Sequence, residues 1–197
     1  MNPLPKTTNN ILFYVLALLF IGPLLLAFVL FHTHPDWFKQ NTINKGHLIV
    51  PPLTIPPKAI VTSANKPLDT DYFDKKWTLL ATLPQKCQQR CQQSISSLKK
   101  VIKLTGKNQN RMRIVLLGLS QSHRAELSAT IHQNYPDTKL LFSRPNYLGD
   151  SSAQSIKPSQ IYIIDPHGNL IMRYSSDVKA LAILKDVKRV LKVSRIA

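Results

Sequence analysis

The apolar positions follow a different rule in each of three successive stretches of the chain. From Ile11 to Phe31 (ILFYVLALLFIGPLLLAFVLF) no charged residue interrupts an apolar run long enough to cross a hydrocarbon core of about 30 Å as a helix. Gly22 and Pro23 fall in its middle and are tolerated in such helices. From about Thr33 to Thr70 the helical period disappears and Pro35, Pro51, Pro52, Pro56, Pro57 and Pro67 fix the backbone and remove donors. This predicts an extended connector. Its apolar residues Leu48, Ile49, Val50, Leu53 and Ile55 exceed what a spacer needs, so part of it is expected to pack on the domain as an edge strand or clamp.

Beyond the connector, strand-like and helix-like patterns alternate. Trp77–Leu83 reads as a strand and Cys87–Thr105 as a helix with Cys91, Ile95, Leu98 and Ile102 on one face. Residues 111–119 (RMRIVLLGL) read as a strand buried on both sides, as in a parallel sheet. Ser122 is placed to cap a helix running to about Tyr135, Lys139–Phe142 is a short strand, and Ser143–Ser159 is a loop. Gln160–Asp165 and Leu170–Tyr174, joined by Pro166–His167–Gly168–Asn169, form a hairpin. A last helix from about Asp177 to Val193 places Leu181, Leu184, Val187, Val190 and Leu191 on one face. The expected organisation is a cytoplasmic tail (1–10), a transmembrane helix (11–31), a proline-rich connector (32–72) and an α/β domain (73–197).

Charge and cysteine usage add chemistry to this frame. The 197 residues carry 26 Lys+Arg against 10 Asp+Glu, a net charge of +16. The excess is spread over solvated helix faces, and the sequence has no zinc-ligand spacing, glycine-rich phosphate loop or aromatic RNA-binding motif. Nucleic acid is therefore not an expected partner, whereas acidic proteins or anionic headgroups are. The flanking charges do not orient the apolar helix, since Lys6 stands on one side and Lys39 and Lys45 on the other. A short tail before a signal anchor favours a cytoplasmic N-terminus, and a close cysteine pair with no other thiol suits an oxidising compartment. The domain is therefore expected outside the cytoplasm.

Cys87 and Cys91 are the only cysteines and sit where the first helix of the domain begins. Free backbone N–H groups there, with Lys86 and Arg90 nearby, favour thiolate, so both sulfurs are expected to ionise more easily than a free cysteine. Against this, Cys91 lies on the apolar stripe, where a small core residue is equally at home. The pair together points to redox or soft-metal chemistry.

The order β-α-β-α-β-β-α with cysteines at the first βα turn resembles the thioredoxin fold, a central mixed sheet flanked by helices. That resemblance implies a cis peptide bond before Pro158, which takes the place of the proline facing the active cysteines. The C-x-x-x-C spacing, the anchor and the QIYIIDPHGNL hairpin resemble the Sco/SenC family, which deliver copper to cytochrome c oxidase and reduce its thiols during assembly. In that family the two thiolates bind copper with a histidine just before the hairpin. Here, nine residues before Pro166, stands Lys157. Cys87 and Cys91 carry over as metal ligands and the histidine does not, because a protonated lysine has no lone pair to offer. His123, His132 and His167 read as surface residues.

The anchor, the connector pattern Asn44-x-Gly46-x-Leu48-Ile49-x-Pro51-Pro52 and the Trp77-led strand are similar to single-span proteins encoded with proteobacterial cytochrome c oxidase assembly factors. This resemblance implies a bacterial inner-membrane protein with its domain in the periplasm, and a cytochrome c oxidase subunit or assembly factor as partner. The activity it implies is thiol–disulfide exchange or Cu(I) handling, with Cys87 attacking, Cys91 resolving and Pro158 shaping the groove. The alternative is a tethered scaffold with a structural disulfide. A thiol peroxidase is disfavoured, because Pro84 stands three residues before Cys87 where such enzymes hold a hydroxyl.

Overall fold

The computed structural model describes residues 7–34, 44–120, 122–144 and 156–194. The chain divides into two units, Met1–Ile43 and Asn44–Ala197. In the first, helix α1 spans Thr7–Thr33 with Pro23 inside it. Its apolar stretch Ile11–Thr33 has 23 residues, about 35 Å of helix, which is long and apolar enough to cross a membrane.

In chain order the second unit contains β1 (His47–Thr54), β2 (Ile60–Thr62), β3 (Trp77–Leu83), α2 (Gln89–Leu104), β4 (Met112–Gly118), α3 (Arg124–Asn134), β5 (Lys139–Ser143), β6 (Gln160–Ile164), β7 (Asn169–Ser175) and α4 (Ala180–Val193). The strands form a single seven-stranded sheet in the order β1-β7-β6-β3-β4-β5-β2. β3, β4 and β5 are parallel neighbours, and β6 runs antiparallel to β3. Every residue of β3 is buried, Thr78 and Thr82 included, as befits a central strand covered on both faces. The β6–β7 hairpin closes through Gly168 at φ 82°, where a Cβ would be strained. Asp165 fixes that turn by accepting from the His167 and Asn169 N–H groups.

Side-chain alternation divides the core between two faces. One face carries Leu79, Ala81, Leu116, Phe142, Ile161 and Met172, covered by all three helices of this unit through residues such as Ile95, Leu98, Leu127, Ile131, Ile183 and Val187. The other face carries Leu80, Val115, Leu117, Leu141, Tyr162 and Ile164, and is covered by Ile55 and Leu68 from the proline-rich stretch and by Phe73 just after it. That stretch also supplies both edges of the sheet. β1 pairs with β7, its register shifting between Leu48 and Leu53 around Pro51 and Pro52, and β2 pairs with β5. Prolines at an edge leave no ladder donor unmet and discourage further strand addition.

An internal anchor holds β1 in place. Asp186 of α4 is 1% exposed, and its Oδ2 accepts from the N–H groups of Lys45 (2.7 Å) and Gly46 (2.9 Å) and from the Tyr174 hydroxyl (2.9 Å). Arg189 faces its other oxygen at 3.3 Å. Gly46 is required by contact, since a Cβ there would lie 2.5 Å from the Tyr174 ring. Burial, reinforced by the Asp186 charge and hydrogen bond, pushes the Tyr174 phenol far above its ordinary value, so it stays a donor to this carboxylate.

Several local expectations are corrected. Leu181 is 65% exposed, and the buried face of α4 is Ile183, Leu184, Asp186, Val187 and Leu191, because Asp186 and its partners turn the helix about that polar anchor. On α2, Val101 is buried and Ile102 only partly so. Ser122 does not cap α3, whose preceding residue is His123. The Ser122 hydroxyl instead meets Ser120 Oγ and His123 Nδ1. Most of the loop expected between Ser143 and Ser159 lies outside the described residues.

Candidate functional site

The site lies where β3 ends and α2 begins, at the rim where open α/β sheets place their sites. Cys87 precedes α2, Cys91 lies in its first turn, and their sulfurs are joined in a disulfide with Cα atoms 5.1 Å apart. The pair expected as thiolates is present here in its oxidised form, and either sulfur can ionise only after reduction. The two ends of the bridge differ. Cys91 is 9% exposed within the helix-side core, whereas Cys87 is only partly buried and packs against the edge of that core.

Of the cations expected to favour thiolates, Lys86 has a carboxylate partner. Lys86 Nζ lies 3.8 Å from Glu126 of α3, both side chains being exposed. The Asp177 carboxyl is held below its usual range by the Ser175 hydroxyl and its own backbone N–H, with the Arg90 charge adding to the effect. An exposed pair such as Lys86–Glu126 contributes about 0–1 kcal/mol, yet it lowers the net positive field beside the sulfurs.

A cleft of about 250 Å³ opens beside the disulfide, its walls including Pro84, Cys91, Ser94, Ser159, Gln160 and Ser176. The β6 side of the cleft is fixed by Thr82 at the end of β3. Its hydroxyl donates to Lys157 O at 2.7 Å and accepts from Gln160 N–H at 2.9 Å, while Ser159 N–H donates to Thr82 O at 3.1 Å. On the helix side, Ser94 Oγ lies 2.9 Å from Ser176 O and ties α2 to the end of β7. Sequence reasoning missed Thr82, Ser94 and Gln160. Ser94, polar on an otherwise apolar stripe, was the one visible signal among them.

Pro158 is exposed beside this cleft, and its neighbours Ser159 and Gln160 form the wall next to Cys91. The cis bond expected before Pro158 is corrected. Among the described residues the cis peptide bond is Val50–Pro51, and Lys157–Pro158 is trans. An X–Pro bond favours trans by about 0.5–1 kcal/mol. The chain reverses here through Ser159, at φ 55°, with Thr82 gripping the residues on either side.

The donor set does not fit a three-ligand copper site. Both sulfurs are in the disulfide, and a thiolate pair suited to Cu(I) exists only after two-electron reduction. Lys157, at the position of the expected third ligand, lines a separate basic cavity with His47. His132 and His167 are exposed and His123 bonds Ser122. Among the described residues no group of three or more His, Cys, Asp or Glu is placed to hold a metal ion.

Solved structures share this architecture. ScoI of Arabidopsis thaliana, determined with copper bound, is 13% identical and superposes with a TM-score of 0.56 over 76% of this chain and 99% of its own. Yeast Sco1 is 11% identical, with a TM-score of 0.56 over 76% and 98%. A SCO1/SenC family lipoprotein of Bacillus anthracis is 18% identical, with a TM-score of 0.51 over 73% and 99%. At these identities the likeness establishes a thioredoxin-like fold, and copper belongs to the neighbour that holds it. Among curated protein sequences there is no significant match. The family model described as transmembrane-like, thioredoxin-like, C-terminal domain matches residues 77–194, and the chain belongs to that family.

Proposed function

We propose that this protein is a membrane-anchored, periplasmic thiol–disulfide exchange factor in cytochrome c oxidase biogenesis. The observation that supports the chemistry is the Cys87–Cys91 disulfide, with Cys87 the more exposed residue at the βα turn and Cys91 lining an open cleft alongside. A partner thiolate attacks Cys87 Sγ and the Cys87–Cys91 bond breaks, Cys91 leaving as thiolate at the helix N-terminus. The second partner thiolate then attacks the partner sulfur of the mixed disulfide and releases Cys87. The partner dithiol is oxidised to a disulfide and the protein pair is reduced by two electrons. In reverse, Cys87 attacks a partner disulfide and Cys91 resolves the intermediate. Pro158 stiffens the loop that presents Ser159 and Gln160 to the bound segment.

The copper-bound neighbours support Cu(I) as cargo of the reduced pair, and the missing third ligand makes thiol exchange the better reading. The oxidase connection rests on the connector and anchor resemblance. The scaffold reading draws on the burial of Cys91 in the core, where a bridge can serve as a static staple.

The test is a Cys87→Ser, Cys91→Ser double variant expressed at wild-type level in the native host. Loss of assembled terminal oxidase activity in the membranes is expected. Normal activity would reject an exchange or copper role and leave the scaffold.

A further inference from the structure

A second cavity, of about 500 Å³, opens at the same end of β6 and β7 as the disulfide cleft. Its walls include Lys45, His47, Lys157, Gln160, Arg173 and Asp177. Strand pairing builds part of it. His47 of β1 stands opposite Arg173 of β7, and Arg173 stands opposite Tyr162 of β6, so the three share the face away from the helices. Tyr162 is fully buried, and its hydroxyl accepts from Lys157 N–H and donates to Gln160 Oε1, both at 2.9 Å, which pins the loop carrying Lys157. Lys45 is brought in by the bond from its N–H to Asp186.

Three cations from three separate segments, with the His47 imidazole two residues from Lys45, thus surround one hollow. Among the described residues none of them has a carboxylate within ion-pair range, whereas Lys86 and Arg189 each do. The carboxylate on the rim, Asp177, is already bonded to Ser175 Oγ. The hollow shares Gln160 with the disulfide cleft. It also shares Asp177 and Val178 with a third depression that contains Arg90, Ser94 and Ser176, and those three residues line the disulfide cleft as well. A continuous surface therefore runs from the sulfurs to the basic hollow.

We propose that this hollow is a docking site for an acidic protein segment, and that it holds aspartate or glutamate side chains of the partner while the partner's thiols reach Cys87. Concavity and walls shared with the disulfide cleft favour an extended peptide, which can occupy both, over a headgroup layer, which would suit a broad basic face. The partner's identity as the thiol substrate rests on the exchange reading. The binding itself does not.

The experiment uses the full chain in neutral detergent and a fluorescent, thiol-free peptide of alternating Asp and Gly, read by anisotropy. Its Asn analogue, inorganic phosphate and phosphatidylglycerol added to the micelles serve as separate arms. The acidic peptide should bind, its Asn analogue should not, and added salt should weaken binding. Lys157→Glu alone, and Lys157→Gln with Arg173→Gln, should each weaken binding by roughly tenfold. Lys100→Glu with Lys103→Glu, on the exposed face of α2, should leave it within about twofold despite an equal or larger change of charge.

Equal binding by all variants, or equal binding of the Asn analogue, overturns the proposal. So does displacement of the peptide, dependent on Lys157, by phosphatidylglycerol or phosphate at lower concentration than a second acidic peptide requires. The Cys87→Ser, Cys91→Ser protein should bind the peptide as wild type does, so failed exchange chemistry and failed docking are separable.

Discussion

Cys87 and Cys91 form one bond but occupy different surroundings, and that asymmetry sets their roles. Cys91, with Ile95 and Leu98 in the core, is the more buried residue and Cys87 the more exposed, and on the exchange reading an incoming thiolate meets Cys87 first. A reduced Cys91→Ser variant mixed with oxidised glutathione should therefore accumulate a stable mixed disulfide through Cys87 with release of one glutathione, and Cys87→Ser should accumulate much less, as read by intact mass. Thr82 is the residue most responsible for the opposite wall. Thr82→Val keeps the shape and removes the bonds to Lys157 O and Gln160 N–H, which should cost roughly 1–3 kcal/mol in denaturant unfolding and loosen the 157–160 loop in hydrogen exchange. The cysteine pair was legible because its spacing is local in sequence. Thr82, Ser159, Gln160 and the hollow around Arg173 were not, because antiparallel pairing of β3 with β6 and of β1 with β7 assembles them from distant segments. The cis bond expected at Pro158 came from resemblance alone, and Thr82 holds a different local geometry.

At the scale of elements, the proline-rich stretch does more than space. β1 and β2 close opposite edges of the sheet, and Ile55, Leu68 and, just beyond the stretch, Phe73 cover the face opposite α2, α3 and α4. Asp186 is the point where β1 is tied to α4. Asp186→Ala leaves the Lys45 and Gly46 N–H groups and the Tyr174 hydroxyl without their acceptor, and should cost about 3–5 kcal/mol, with protection lost first in β1 by hydrogen exchange. Gly46→Val should cost about 1–3 kcal/mol through the clash with Tyr174. Tyr174 also sets a pH limit. Its folded pKa is raised above the ordinary value of 10.0, so its contribution is fully present below about pH 10 and declines as pH rises beyond it. Unfolding free energy followed from pH 8 to 11 should fall above about pH 10, and Tyr174→Phe should reduce that fall, the remainder coming from Tyr72 and Tyr162, whose phenols burial also pushes up. The regular strands and helices were legible because their apolar periods are clean. β1 was visible only as excess apolar residues, since Pro51 and Pro52 break its alternation. The buried face of α4 was misjudged because a charged Asp186 inside the stripe is intelligible only beside the backbone it binds.

For the whole molecule, the fold and the long apolar N-terminal helix were legible from the order of elements and from an apolar run that needs no tertiary context to read. Orientation was not, because the charges flanking that run are balanced. If the domain faces the periplasm, a membrane-impermeant thiol reagent should label Cys87 in reduced, intact spheroplasts, and labelling confined to lysed cells would reverse the topology. The central claim is that the disulfide is exchanged rather than structural, and the reduction potential of Cys87–Cys91 in the full chain, equilibrated with a glutathione or dithiothreitol series in detergent, tests it most directly. The exchange account predicts a value between about −270 and −120 mV, the span of disulfide exchange proteins. A value below about −300 mV, where structural bridges lie, would contradict it.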